Sequence, residues 1–224
     1  KMPHELLNCR ELRTIRVGEH GVHPDDEPQL AVIQLVATLQ PTQAFEIGTY
    51  LGHMTALIAM NMPEDGRVRT LDLPPEQTVP EHASDRHLIE EARRRLGSYF
   101  RDTPWMDGKI TQLLGDTRTF DFSPYKDAMD FVLIDASHTY EFAFNDSMHA
   151  FRMIRENGVL LWHDYESMRS EYGVTRFVDR LRRRHGCPAF RLGSSSGDTR
   201  YAAMHVSANI KTKLAALADR PDQF

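Results

Sequence analysis

Short, continuously apolar runs alternate with helical patterns along most of this chain, and that alternation leaves few folds open. The runs fall at 44–47, 68–71, 110–114, 131–134 and 158–162. A strand buried on both faces has no polar side to show, so it reads as an unbroken apolar stretch. Helical patterns fall at 29–39, 53–62, 85–99, 140–154 and 174–184; in the first, Leu30, Ile33, Val36 and Ala37 recur at helical spacing and Pro41 ends it. The order predicts an α/β domain, a mostly parallel sheet with helices on both faces and right-handed crossovers. Two more strand-like runs, near Phe190 and at 201–206, flank the glycine-serine stretch 193–197. That connection is too short for a helical crossover, so these two strands are predicted to be antiparallel to each other.

The apolar runs end in polar groups that share one chemistry. Glu46, Asp72, Asp116, Asp135, His163 and Asp164 all stand at or just after strand ends. In a parallel sheet the carboxyl ends of the strands form the ligand crevice. One carboxylate there is ordinary, but a series at successive strands predicts a polar site. Between the first strand and the next helix lies Glu46-Ile47-Gly48-Thr49-Tyr50-Leu51-Gly52. Gly48 suits a tight turn with close backbone approach, and Gly52 opens a helix whose amides can face a polar ligand group. The third glycine of the dinucleotide fingerprint is absent, which weighs against a pyrophosphate cofactor.

With 224 residues, 41% of them hydrophobic, the chain suffices for one domain with a sizeable core. A net charge of -5 weighs against nucleic acid as the partner. The runs Arg93-Arg94-Arg95 and Arg182-Arg183-Arg184 read as solvated helix faces. Cys9 and Cys187 have no metal-type spacing, so reduced thiols in a cytoplasmic protein are expected. No apolar run has the length of a membrane span, and no signal-peptide core stands at the start. The expected partition is an N-terminal segment 1–27, a domain at 28–206 and a C-terminal tail 207–224. Within the first, the glycine- and proline-punctuated stretch 17–26, with His20 and His23, is a candidate lid.

The segment 45–52, the strand end at Asp72 and Gly115-Asp116 resemble motifs I, II and III of class I S-adenosylmethionine-dependent methyltransferases. Ile134-Asp135-Ala136-Ser137-His138-Thr139-Tyr140-Glu141 and Gly158-Val159-Leu160-Leu161-Trp162-His163-Asp164-Tyr165 are similar to small-molecule O-methyltransferases of the catechol and caffeoyl-CoA type. They are closer still to the bacterial methyltransferase 24 group, which includes macrocin-type sugar O-methyltransferases. The resemblance implies a Rossmann-like, seven-stranded fold with an antiparallel last strand. It implies that Glu46, Gly48, Thr49 and Gly52 surround the methionine moiety of S-adenosylmethionine, and that Asp72 accepts hydrogen bonds from the ribose. Asp116 and Thr117 would contact the adenine edge, and Asp135 would lie beside the cofactor.

In metal-dependent relatives, acids after the fourth and fifth strands hold a divalent ion; here those positions are Asp135, His163 and Asp164. His163 departs from the usual carboxylate and shifts preference from Mg towards Mn, Fe or Zn. The competing reading is that His163 only hydrogen-bonds Asp164 or Asp135 and no metal binds. His138 stands where the catechol-type relatives carry a lysine base, and its near-neutral pKa suits a general base. It could instead cap the helix that begins near Tyr140. The expected reaction is O-methylation of a small molecule, with no nucleic acid or membrane partner and a homo-oligomer left open. Two alternatives stand beside it: a nicotinamide-dependent oxidoreductase on a similar sheet, and a non-catalytic S-adenosylmethionine-binding domain.

Overall fold

The computed structural model describes residues 27–77, 86–101, 103, 108–167, 173–192 and 201–224. The expected lid at 17–26 with His20 and His23, Cys9, and the stretch 193–197 lie outside them. In chain order the elements are α1 (Glu27–Leu39), β1 (Gln43–Ile47), α2 (His53–Asn61), β2 (Arg67–Asp72), α3 (Arg86–Arg95), α4 (Ser98–Arg101) and β3 (Ile110–Leu114). Then follow β4 (Met129–Ile134), α5 (Tyr140–Met153), β5 (Ile154–Trp162), α6 (Val174–His185), β6 (Phe190–Leu192), β7 (Tyr201–His205) and α7 (Ala208–Asp219).

All six residues of β4 are buried, and their alternation shows why both faces of the sheet need helices. Val132 and Ile134 join a cluster with Phe151 of α5, Phe177 of α6 and Leu214 of α7. Phe131 and Leu133 join the opposite cluster, with Val36 of α1 and Leu57 of α2. The sheet has seven strands in the order β3-β2-β1-β4-β5-β7-β6. The first five pair in parallel, and β7 runs antiparallel to both β5 and β6. This is the predicted Rossmann-like architecture. Because β1 lies between β2 and β4, the chain winds outward in both directions from the β1–β4 pair, and a crevice opens there at the strand ends.

Two expectations need correction. Residues 207–224 are not a tail beyond the domain. Ile210, Leu214, Leu217 and Ala218 of α7 are buried in the core, and the ring of Phe224 stacks on Phe177 at 5.0 Å. Their i, i+4, i+7, i+8 spacing is that of a core-facing helix stripe. The helix expected at 85–99 is broken: α3 stops at Arg95, Gly97 takes φ +66, and α4 begins at Ser98. A left-handed glycine just past the last turn ends a helix without steric cost. Both arginine runs are exposed, as expected. Cys187 is a buried free thiol. Among the described residues, no helix is long and apolar enough to cross a membrane.

Candidate active site

The loop after β1 is pinned on both sides by the ends of β2 and β4. Gly48 N–H donates to Leu71 O at 2.8 Å, and Asp135 N–H donates to Ile47 O at 2.8 Å. Gly48 has φ +101, and a Cβ there would lie 2.0 Å from the carbonyl oxygen of Asp135. The glycine loop and the end of β4 are therefore in direct backbone contact, at the switch point. Asp72 holds the next turn of the loop. Its Oδ2 accepts from Thr49 N–H (2.9 Å) and Tyr50 N–H (2.8 Å), and its Oδ1 accepts from Leu73 N–H (2.7 Å). Burial raises the Asp72 carboxyl, and the three amide bonds offset this only in part. Gly52 is the N-cap residue of α2, with the ring of Phe100 packed against it.

Beneath this loop runs a polar chain that sequence inspection did not foresee. Gln112 Nε2 donates to Thr49 Oγ1 at 3.0 Å, and Thr49 and Thr70 hydroxyls meet at 2.6 Å. Thr70 donates to Glu46 Oε2 at 2.6 Å, and Thr55 donates to the same oxygen. Since each hydroxyl has one proton, Thr70 must receive the proton of Thr49. Glu46, expected beside the methionine moiety, is thus 1% exposed and lies under the loop it supports. Burial, partly offset by Thr55 and Thr70, pushes its pKa from 4.5 up to about 8. The neutral acid therefore belongs to the folded state at pH 7.

The linkage has a definite sign. A carboxyl raised on folding favours the native state fully below pH 4.5, and that contribution is lost as pH rises through about 8. At 1.36 kcal/mol per unit, the loss amounts to about 3–5 kcal/mol. Glu46→Gln removes it. Urea melts at pH 5 and pH 8.5 should show the variant gaining on the parent by that amount; parallel pH profiles would rule out a buried neutral Glu46.

The ends of β4 and β5 bring the expected cluster together. His163 Nδ1 lies 3.0 Å from Asp135 Oδ1 and 2.9 Å from Asp164 Oδ2. His138 Nε2 lies 2.8 Å from the same Asp164 Oδ2. One ligand atom from each of Asp135, His163 and Asp164 falls within 4.8 Å of the others. Burial opposes charge on His163, yet Asp135 and Asp164 outweigh it and hold the imidazole protonated well above its usual range. Burial alone would raise Asp164, but the two imidazoles pull it far below the usual carboxylate range. Asp164 sits at φ +58, a left-handed conformation that aspartate tolerates better than most residues. His138 does not cap α5; that role falls to Thr139, whose Oγ1 accepts from Phe142 N–H at 3.3 Å.

At the far end of the crevice, Asp116 pairs with Arg118 at 2.5 Å and accepts from Gln77 at 3.3 Å. Thr117 Oγ1 accepts from Asn145 Nδ2 at 3.2 Å. The structure thus places the expected site residues at or after the carboxyl ends of β1 to β5 in one sheet, with Glu46 buried within β1. It adds Thr55, Thr70 and Gln112 below the loop, and Tyr201, whose ring meets the His163 imidazole edge-on at 4.8 Å.

A methyltransferase domain family model matches residues 45–165, a span that runs from within β1 to just past β5 and holds Asp135, His138, His163 and Asp164. Tapetum-specific methyltransferase 1 of Arabidopsis thaliana is 27% identical over 164 residues, 70% of this chain; the match spans 62% of that relative's length. The O-methyltransferase TomG of Streptomyces achromogenes, solved with SAM, superposes with a TM-score of 0.53 at 20% identity, covering 80% of this chain and 79% of that one. An O-methyltransferase of Bacillus cereus, solved with SAH, gives 0.51 at 21% identity, covering 84% and 83%. The two superpositions speak to the fold. The family model spans more than half of the sequence, and the chain belongs to the methyltransferase domain family.

Proposed function

We propose that this protein transfers a methyl group from S-adenosylmethionine to a hydroxyl of a small molecule. The observation that carries the reading is the backbone contact between Gly48 and Asp135. It sets the loop expected to hold the cofactor directly against a cluster able to activate a hydroxyl. Asp72 fits a ribose: a carboxylate has about four acceptor sites, and three are taken by amides. Gly48, Thr49 and Gly52 would border the methionine moiety with Glu46 beneath, and Asp116 and Thr117 would border the adenine. The carboxylates Asp72 and Asp135 also suit a cationic sulfonium electrostatically. S-adenosylmethionine supplies the electrophilic methyl group.

On the acceptor side, His138 Nε2 lies 2.8 Å from Asp164 Oδ2, a carboxylate that would hold the imidazole in place as the general base. The His138 imidazole would take the proton of the acceptor hydroxyl, and Asp164 would stabilise the resulting imidazolium. The three donors Asp135, His163 and Asp164 fit a divalent ion, since bonds of about 2.0–2.2 Å to each require donors only a few ångströms apart. When bound there, such an ion supplies Lewis acidity that lowers the pKa of an acceptor hydroxyl. One observation favours a second, metal-free version of the same chemistry: protonated His163 already bridges both carboxylates.

Titration with S-adenosylhomocysteine tests the cofactor half. Asp72→Ala should weaken binding by about 1.5–3 kcal/mol, the scale of a lost charged acceptor. Unchanged affinity in a folded variant would remove Asp72 from the site. Binding of NADPH but not of S-adenosylhomocysteine would overturn the reading as a whole.

A further inference from the structure

The strand pleat carries the site one strand further than the sequence motifs do. Ala44, Val68, Phe131, Leu133, Val159, Leu161 and Ala203 all face the α1–α2 layer. Side chains two residues apart share a face. Continuing each strand by that step puts Thr70 and Asp72, Glu46, Asp135 and His163 in a row on this face, in the spatial order β2, β1, β4, β5. The next strand in space is β7, and its residue in the row is Tyr201. The pairing of Trp162 with Ala202 sets Tyr201 opposite His163, and the two rings meet at 4.8 Å and 64°.

Tyr201 is 1% exposed and lies in the apolar cluster with Val159 and Leu161. Its hydroxyl lies within electrostatic reach of Asp135, Asp164 and Glu46. Among the described residues that hydroxyl makes no hydrogen bond, and it is not one of the side-chain atoms sealed from solvent without a partner, so its oxygen is the part of the side chain that still meets solvent. Tyrosine hydroxyls find a partner when buried, and one whose only partner is solvent, at the tip of an otherwise buried ring, can exchange that water for a ligand oxygen. For packing alone phenylalanine would serve better. A donor retained without a protein partner, at the polar end of the row, is a donor kept for a ligand.

We propose that Tyr201 is a substrate-contacting residue whose hydroxyl donates a hydrogen bond to an oxygen of the methyl acceptor bound over Asp135 and His163. The proposal rests on the methyl-transfer reading above. It narrows the acceptor to molecules with a second, hydrogen-bond-accepting oxygen near the hydroxyl that is methylated. An acceptor without that oxygen would leave the Tyr201 donor buried and unpaired, which is a strong basis for rejection. The ring has a second role, holding His163 edge-on with Nδ1 towards the two carboxylates.

The test uses the full chain with catechol and methyl α-glucoside as probe acceptors, measuring S-adenosylhomocysteine formation. Tyr201→Phe keeps the ring and removes the donor. Its KM for the better probe should rise about tenfold or more with kcat little changed, the signature of lost binding common to ground and transition states. Its affinity for S-adenosylhomocysteine should be unchanged and its Tm not lowered. Tyr201→Leu, which also loses the ring, should lower kcat as well. An unchanged KM in Tyr201→Phe overturns the proposal, as does a lowered Tm, which would mean that the hydroxyl serves the fold. A parent protein that binds S-adenosylhomocysteine yet methylates neither probe overturns the acceptor-site reading itself, and the proposal with it.

Discussion

Gly48→Ala is expected to lower stability by about 4 kcal/mol or more and to abolish S-adenosylhomocysteine binding. Two independent penalties combine. A Cβ would stand 2.0 Å from the Asp135 carbonyl oxygen and 2.5 Å from its carbon, and both are backbone atoms that no rotamer change can move. The φ of +101 adds a backbone conformation that residues with a Cβ rarely adopt. Relief would require the loop to withdraw from β4, breaking Gly48 N–H to Leu71 O and Asp135 N–H to Ile47 O. Asp72 would then lose its grip on Thr49 and Tyr50, so fold and cofactor site fail together. Urea denaturation reads the first effect and calorimetry the second. A variant of parental stability would show that the loop has slack and that the Gly48–Asp135 contact is incidental.

The framework was legible because burial on two faces leaves an unmistakable pattern. The strands β1 to β5, the helices between them apart from the break at Gly97, and the antiparallel β6–β7 pair follow from apolar runs and their spacing. The end-of-strand residues Asp72, Asp135, His163 and Asp164 were legible for the same reason, since each interrupts an apolar run where a parallel sheet has its crevice. Glu46 shows where that reasoning stops. It looks like one more strand-end acid, but Thr55 and Thr70, nine and twenty-four residues away, draw it under the loop. Asp116 likewise reads as an open carboxylate until the turn brings Arg118 back onto it. Tyr201 had no local signal at all. Its place beside His163 depends on β7 entering between β5 and β6 and on the register with Trp162. By contrast α7, expected only as a tail, did carry a local signal that the reading passed over: Ile210, Leu214, Leu217 and Ala218 have the spacing of a buried stripe.

The other large effect concerns turnover and separates the two versions of the acceptor site. If Asp135, His163 and Asp164 hold a divalent ion, EDTA should lower methyl transfer by several kcal/mol of barrier, on the order of a hundredfold or more. Affinity for S-adenosylhomocysteine should hardly change, because the proposed cofactor residues, Asp72 and the glycine loop, stand at other strand ends. His138→Ala should lower kcat by about 10²–10⁴-fold, the range for a lost general base, with bound metal unchanged. Raising the pH should restore part of that loss, since the acceptor then ionises without help. Asp164 is the point where the two functions meet, because one oxygen, Oδ2, faces both His138 and His163. Asp164→Asn should therefore impair metal binding and base function together, whereas His138→Ala touches only the second. Loss of metal in His138→Ala would make His138 a ligand rather than the base. Full activity after chelation, with no stoichiometric metal by elemental analysis, would leave the His163 imidazolium as the only cation between the two carboxylates and His138 as a base acting alone.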